Sequence, residues 1–251
     1  MLKDTDIIAD MHTHTVASQH AYSTIEENIN YAKQNGIKYI AITDHFHVLN
    51  DHLFKMNEMS RIKYMEANVN KYSDIKIIGS AEFNILQKTS SLEKLKFLKW
   101  KPIGLHSHYI ENISSVTFET LYNAFAEASD YFNAFCHIER ELDKIKKSDS
   151  EENEIYEFMT QIVHLAKEKN IYLELNVHSL EGKNDNIDRI RFWMAEAKRN
   201  RNLITLGTDA HFCREVGHFH KAVELLNELD YDRSLILNCD ETAVKALINR
   251  Y

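Results

Sequence analysis

Short apolar runs and longer helical stripes alternate along this chain. Ile7–Met11 is a compact apolar run of strand length. Ser23 with Glu26 then has the spacing of a capping box, and Ile25, Ile29 and Ala32 recur at helical period until Gly36. The pattern predicts further strands at Tyr39–Thr43, Ile75–Ala81, Pro102–Leu105, Tyr131–Cys136, Ile171–Asn176 and Leu203–Gly207. Between them it predicts helices near Arg61–Tyr72, Val116–Ala128, Ile155–Lys169, Ile187–Arg199 and Val216–Leu229. A short extended piece at Leu235–Leu237 follows, and Asp240 caps a last helix ending near Arg250. The charged stretch Glu139–Asn153 reads as a loop. Strand and helix in repeated succession imply parallel strands joined by crossovers. The expectation is an α/β fold with seven strands closed or nearly closed into a barrel, residues 1–251 forming one domain.

Composition narrows the partners. Thirty basic against thirty-eight acidic residues give a net charge of −8, spread without a basic tail. Phosphate-backbone binding relies on clustered Lys and Arg, so a nucleic acid is a poor default partner. A small phosphorylated substrate needs only local positive charge, which bound metal ions can supply. Cys136, Cys213 and Cys239 form no C-x-x-C pair and cannot all be bridged, which fits a reduced, cytoplasmic protein. The sequence shows neither a signal-peptide pattern nor an apolar run of membrane-spanning length.

Histidine is abundant, at fourteen copies, but position is what matters. His12 and His14 close the first strand, two residues apart and so on one face. Asp44-His45 closes the second strand, Glu82 the third, His106 the fourth and His137 the fifth. Asp209 and His211 close the last, and His20 lies in the loop after the first. In a barrel these carboxyl ends share one rim. A lone His-x-His is a weak sign of metal; ligand types ending almost every strand are a strong one. Imidazoles with carboxylates suit zinc, manganese or iron, and Glu82 or Asp209 has two oxygens with which to bridge ions. His106-Ser107-His108 offers two same-face rings; His106 is taken as the ligand and His108 as a substrate contact. His178, ending the sixth strand, is either a pocket residue or a surface one. His47 and His52 read as exposed loop residues, His164 as a packing residue of its helix, and His218 and His220 as diverging members of the last long helix.

These residues resemble the polymerase and histidinol phosphatase (PHP) superfamily of metal-dependent phosphoesterases, from about Asp10 to Ile248. The resemblance is carried by Asp10-Met11-His12-Thr13-His14, His20-Ala21-Tyr22-Ser23-Thr24 and Ala41-Ile42-Thr43-Asp44-His45. Glu82, His106, His137, Leu173-Glu174-Leu175-Asn176 and Gly207-Thr208-Asp209-Ala210-His211 extend it. It implies a distorted (β/α)7 barrel with three divalent ions. By position, the first ion would take His12, His14, Glu82 and Asp209; the second Glu82, His106 and His137; the third His20, His45 and His211. The first forty-five residues are similar to a stand-alone phosphatase branch. His137-Ile138-Glu139-Arg140 and Thr208–His211 with Glu215-Val216-Gly217 are closer to the histidinol-phosphatase branch, whereas a His-Pro pair common after the fifth strand is absent.

The expected activity is hydrolysis of a small phosphomonoester, possible substrates including histidinol phosphate. Asp209 and His211 are expected beside the reacting groups. Arg140 is either a phosphate contact or a solvated loop charge. Two other readings compete. An amidohydrolase barrel also begins with His-x-His, but leaves His20, Glu82 and His211 without roles. A metal-binding regulatory module of a polymerase needs a polymerase portion, and this sequence has none.

Overall fold

The computed structural model describes residues 1–46, 52–86, 96–110, 112–145, 151–181 and 184–249. Among the described residues there are eight parallel strands and seven α-helices: β1 Ala9–Thr13, α1 Ile25–Gln34, β2 Tyr39–Ile42, α2 His52–Tyr72, β3 Lys76–Gly79, β4 Phe83–Asn84, β5 Pro102–Gly104, α3 Phe118–Ala128, β6 Ala134–Cys136, α4 Glu151–Lys169, β7 Tyr172–Asn176, α5 Asn184–Arg199, β8 Ile204–Gly207, α6 His220–Glu228 and α7 Glu241–Ile248. Two sheets result, ordered β1-β2-β3 and β4-β5-β6-β7-β8.

Both seams between the sheets are bonded. At one, Lys99 N donates to Gly79 O (2.8 Å) and Ser80 bridges Trp100. At the other, Asp209 N donates to His12 O (2.8 Å) and His14 N to Ala210 O (2.9 Å). The strands therefore make a ring, with β3 and β4 as two halves of one strand position. Where β1 and β8 splay at their amino ends, the Asn238 amide fills the gap. Its Nδ2 donates to Ala9 O and Leu206 O, and its Oδ1 accepts from Leu206 N.

Strand side chains alternate between two packed groups. Ile40, Ile42, Ile77, Leu173 and Leu206 pack with the helices. Ala9, Met11, Ala41, Ile78 and Trp100 pack with Val244 and Leu247 of α7, which covers the amino end of the ring. The opposite rim is left for the site.

Several local expectations shift. The capping box sits one residue later, with Thr24 and Glu27, because Ser23 Oγ accepts from Cys213 N instead. The strand expected over 75–81 ends at Gly79, with β4 following at Phe83–Asn84, and the strand expected over 131–136 is formed only by Ala134–Cys136. The helix expected from Val216 begins at His220, since Gly217 takes a left-handed φ of 77°. Leu235–Leu237 is no strand. Short 3-10 turns at Arg233–Leu235 and Leu237–Cys239 flank Ile236, which makes a single bridge to Ile204. The charged stretch after Glu139 is not one loop either: it holds 3-10 turns with buried Glu139 and Leu142, and α4 starts at Glu151. His52 opens α2 rather than lying in a loop, His164 is exposed, and His218 falls outside α6. His47 lies outside the described residues.

Candidate metal centre

Glu82 stands at the middle of the rim. Its Oε1 lies 2.6 Å from His137 Nε2 and 3.1 Å from His106 Nε2. Its Oε2 lies 3.3 Å from His12 Nε2, 3.4 Å from His14 Nε2 and 3.2 Å from His45 Nδ1. Asp209 Oδ1 lies 3.5 Å from His12 Nε2 and 3.1 Å from His14 Nε2, and its Oδ2 accepts from Arg140 Nη1 at 2.9 Å. The His20 ring is 5.0 Å from His45 and 4.7 Å from His211, so these three form a second corner. All nine expected ligand residues therefore converge, along with Arg140. His106 reaches Glu82, whereas His108 stays at the exposed edge of the pocket.

Backbone geometry at two of these positions is unusual. His137 and Asp209 both have left-handed φ, 30° and 55°. A non-glycine residue held there costs on the order of 1–3 kcal/mol and is found where the surroundings demand it. An extra residue in β1 between Asp10 and Thr13, relative to β2, forms a bulge just where the first histidines leave the strand. Gly207 is required by close approach: a Cβ there would lie 2.3 Å from both Glu174 Oε1 and His12 Cβ.

Four histidine rings are oriented from behind. His12 Nδ1 donates to Glu174 Oε1 (2.7 Å), and His14 Nδ1 to Ser18 Oγ (3.0 Å), which itself donates to Asp44 Oδ1 (2.6 Å). His20 Nδ1 donates to Ser18 O and His211 Nδ1 to Asp209 O, both at 2.7 Å. Each bond fixes the tautomer that turns an Nε2 lone pair toward the site. Asp44 is thus an anchor, accepting also from Thr15 and from Arg61 Nη1.

This donor set fits divalent ions. His12 Nε2 and His14 Nε2 face each other at 3.1 Å, and with both Nδ1 atoms donating elsewhere the contact calls for a proton or a metal ion between the two lone pairs. Glu82 Oε2 is buried, accepts no hydrogen bond, and has three imidazole nitrogens around it. Among the described residues, three groups of ligand atoms are close enough to share an ion: His12-His14-Asp209, His14-His45-Glu82 and His12-Glu82-Cys136-His137. Burial holds His45 and His106 below the ordinary imidazole range and His211 down at about 4, so these rings are neutral and able to coordinate. Burial would raise Glu82, but the histidines around it, with His12 and His137 able to carry the charge, hold it well below the usual carboxylate range.

A pocket of about 350 Å³ opens over the cluster, lined by His20, Tyr22, His108, Arg140, Glu141 and His178 among others. His178 is therefore a pocket residue, its ring 5.8 Å from that of His211. The sequence marks Asp44 only as a strand-ending ligand type and Glu174 only within a motif; their supporting roles, and any role of Ser18 or the thiol Cys136, are not read from it. A glutamate inside the apolar strand Tyr172–Asn176 was the signal available for Glu174.

Comparison with known proteins decides the family. The model of the PHP domain matches residues 10–178. The chain belongs to the PHP family. It is 30% identical to a probable phosphatase of Clostridium acetobutylicum over 94% of this chain and 92% of that one. A probable phosphatase of Acetivibrio thermocellus is 27% identical over 92% and 90%. Among solved structures, the histidinol phosphate phosphatase of Lactococcus lactis, complexed with zinc, L-histidinol and phosphate, superposes with a TM-score of 0.64. That likeness, at 18% identity over 90% of this chain and 95% of the other, is one of fold. PHP membership agrees with the class expected from the ordered histidines and carboxylates, a metal-dependent phosphoesterase. The family match ends before Asp209 and His211; the seam between β1 and β8 is what carries those two residues to the site. No helix among the described residues is long and apolar enough to cross a membrane.

Proposed function

We propose that this chain hydrolyses small phosphomonoesters at a site for three divalent ions. The observation that carries the reading is Glu82: one buried carboxylate with five imidazole nitrogens around its two oxygens. His12, His14, Glu82 and Asp209 would hold the first ion, Glu82, His106 and His137 the second, and His20, His45 and His211 the third. Zinc, manganese and iron all suit this set. Bound ions would neutralise a phosphate and lower the pKa of a water enough to attack it near neutral pH.

The chain's own residues do the rest. Arg140, held by Asp209 and only half-buried in the pocket wall, is placed to bind a phosphate oxygen. Its bond to Asp209 also ties phosphate binding to the carboxylate that faces His12 and His14. The leaving oxygen would take its proton from a metal-held water or from the groups around His211. Polar side chains at the pocket mouth, His108, Glu141 and His178, favour a small hydrophilic leaving group. Histidinol phosphate belongs to that class. Three free cysteines are in keeping with a reducing cytoplasm.

The test is a panel of phosphorylated metabolites, histidinol phosphate included, on protein whose metal content has been measured. Turnover of phosphomonoesters, abolished with bound metal in the His12→Ala/His14→Ala variant, is expected. Full activity in that variant, or hydrolysis of amides and lactones but of no phosphoester, would sink the reading.

A further inference from the structure

Cys136 ends β6 immediately before His137. In an extended strand, neighbouring side chains point to opposite faces. The left-handed turn at His137 changes this, and both side chains meet the same carboxylate. Cys136 Sγ lies 3.5 Å from Glu82 Oε1, and His137 Nε2 lies 2.6 Å from that atom. Ligand atoms of His12, Glu82, Cys136 and His137 all fall within 4.8 Å of one another, and all four residues are buried.

Two observations bear on a cation at this carboxylate; the first concerns its other oxygen, which faces His12, His14 and His45. Glu82 Oε2 is fully buried without a hydrogen-bond donor, a state rare for a buried carboxylate oxygen unless an ion or water completes it. On the adjacent strand, Gly104 leaves room where a side chain would intrude. A Cβ at that position would come within 2.7 Å of His137 Cε1 and 3.0 Å of Cys136 Sγ. Cys213 and Cys239 belong to none of the ligand-atom groups among the described residues.

We propose that the Cys136 sulfur is a protein ligand of the ion shared by Glu82 and His137. This rests on the reading of the site as a metal cluster and deepens it. The sulfur–metal bond forms as the thiol proton leaves to solvent, with no change of oxidation state. A thiolate in the donor set favours zinc or iron(II) over manganese at this one position.

The experiment loads metal-free, full-length protein with cobalt(II) and records its absorption spectrum. A sulfur-to-cobalt charge-transfer band in the near ultraviolet is expected in the unaltered chain and in the Cys213→Ala/Cys239→Ala variant, and is lost in Cys136→Ser. X-ray absorption on the zinc-loaded, unaltered chain needs no variant and should find a sulfur scatterer at about 2.3 Å. Zinc affinity in Cys136→Ser should fall at least about tenfold, with manganese affinity little changed. Cobalt d–d bands without a sulfur band, and a zinc shell of nitrogen and oxygen only, would overturn the sulfur ligand while leaving the metal cluster standing. A sulfur band that persists in Cys136→Ser would also overturn it. Failure to bind cobalt or zinc at all would overturn the metal cluster and the sulfur ligand together.

Discussion

Glu174 is absent from the pocket wall, yet it decides how His12 is held. Its Oε1 accepts from His12 Nδ1 at 2.7 Å, and both groups are buried. A carboxylate behind a ligating imidazole sets the tautomer and raises the basicity of the opposite nitrogen. Glu174→Gln keeps the shape and an acceptor oxygen but removes the charge. Metal affinity is expected to fall by roughly 10–100-fold, measured by competition with a chelating dye, with the circular dichroism spectrum unchanged. An unaltered affinity would show that Glu174 merely fills space. This residue also marks the limit of sequence reading at this scale. The proposed ligands His12, Glu82 and Asp209 are legible because each ends or follows an apolar run of strand length. Glu174 sits inside β7, where a lone glutamate in an apolar strand marks it, but its partner is 162 residues away and its job is not written locally. Cys136 was hidden differently: strand alternation points it away from His137, and only the left-handed backbone there brings the two together.

Helices show what the chain states locally and where tertiary contacts overrule it. Asp240 was legible as a cap, and it accepts from Thr242 N and Ala243 N at the start of α7. Asp240→Ala should cost about 1 kcal/mol of stability, read from a shift in the denaturation midpoint at constant slope. Catalysis should be untouched, because α7 covers the end of the ring away from the rim. A loss of turnover with unaltered stability would contradict this placement of α7. The cap of α1 was misplaced by one residue because Ser23 and Thr24 are both competent; the distant Cys213 amide claims Ser23. The 3-10 segments of Arg233–Cys239 escaped for a related reason. Their apolar side chains look like a strand, but only Ile236 finds a strand partner, Ile204.

At the scale of the whole molecule, the ring and the site depend on one another. Alternating strands and helices implied a barrel, but not how it closes, since β1 meets β8 across almost two hundred residues. Asn238 is the tie at the amino end of that seam. Asn238→Ala would strand Leu206 N and two carbonyl oxygens in a buried setting, at about 1–3 kcal/mol for each group left unsatisfied. A loss of several kcal/mol in chemical denaturation is expected, and a loss below 1 kcal/mol would mean that water takes over the amide's bonds. The carboxyl end of the same seam runs through the metal centre, where Asp209 N and His14 N complete the backbone bonds. Without ions, Arg140 pairs with Asp209, and the rest of the charge balancing buried Glu82, Asp209 and Glu174 falls to protonated histidines. Burial disfavours a charged His12, yet Glu174, Glu82 and Asp209 lift its pKa well above the ordinary range. Divalent ions supply that charge instead and release the protons. Held as proposed, they would bind only the closed ring, because the unfolded chain scatters the nine proposed ligands. Ion concentrations near a hundred times Kd therefore stabilise the fold by about 2.7 kcal/mol per site. Stripping the protein with a chelator should lower its melting temperature by several degrees, and adding back zinc or manganese should restore it. His12→Ala/His14→Ala should have a melting temperature that responds to chelator far less. An identical melting curve for the stripped and loaded wild-type chain would mean that the rim is fully organised without ions, and that the metals serve chemistry alone.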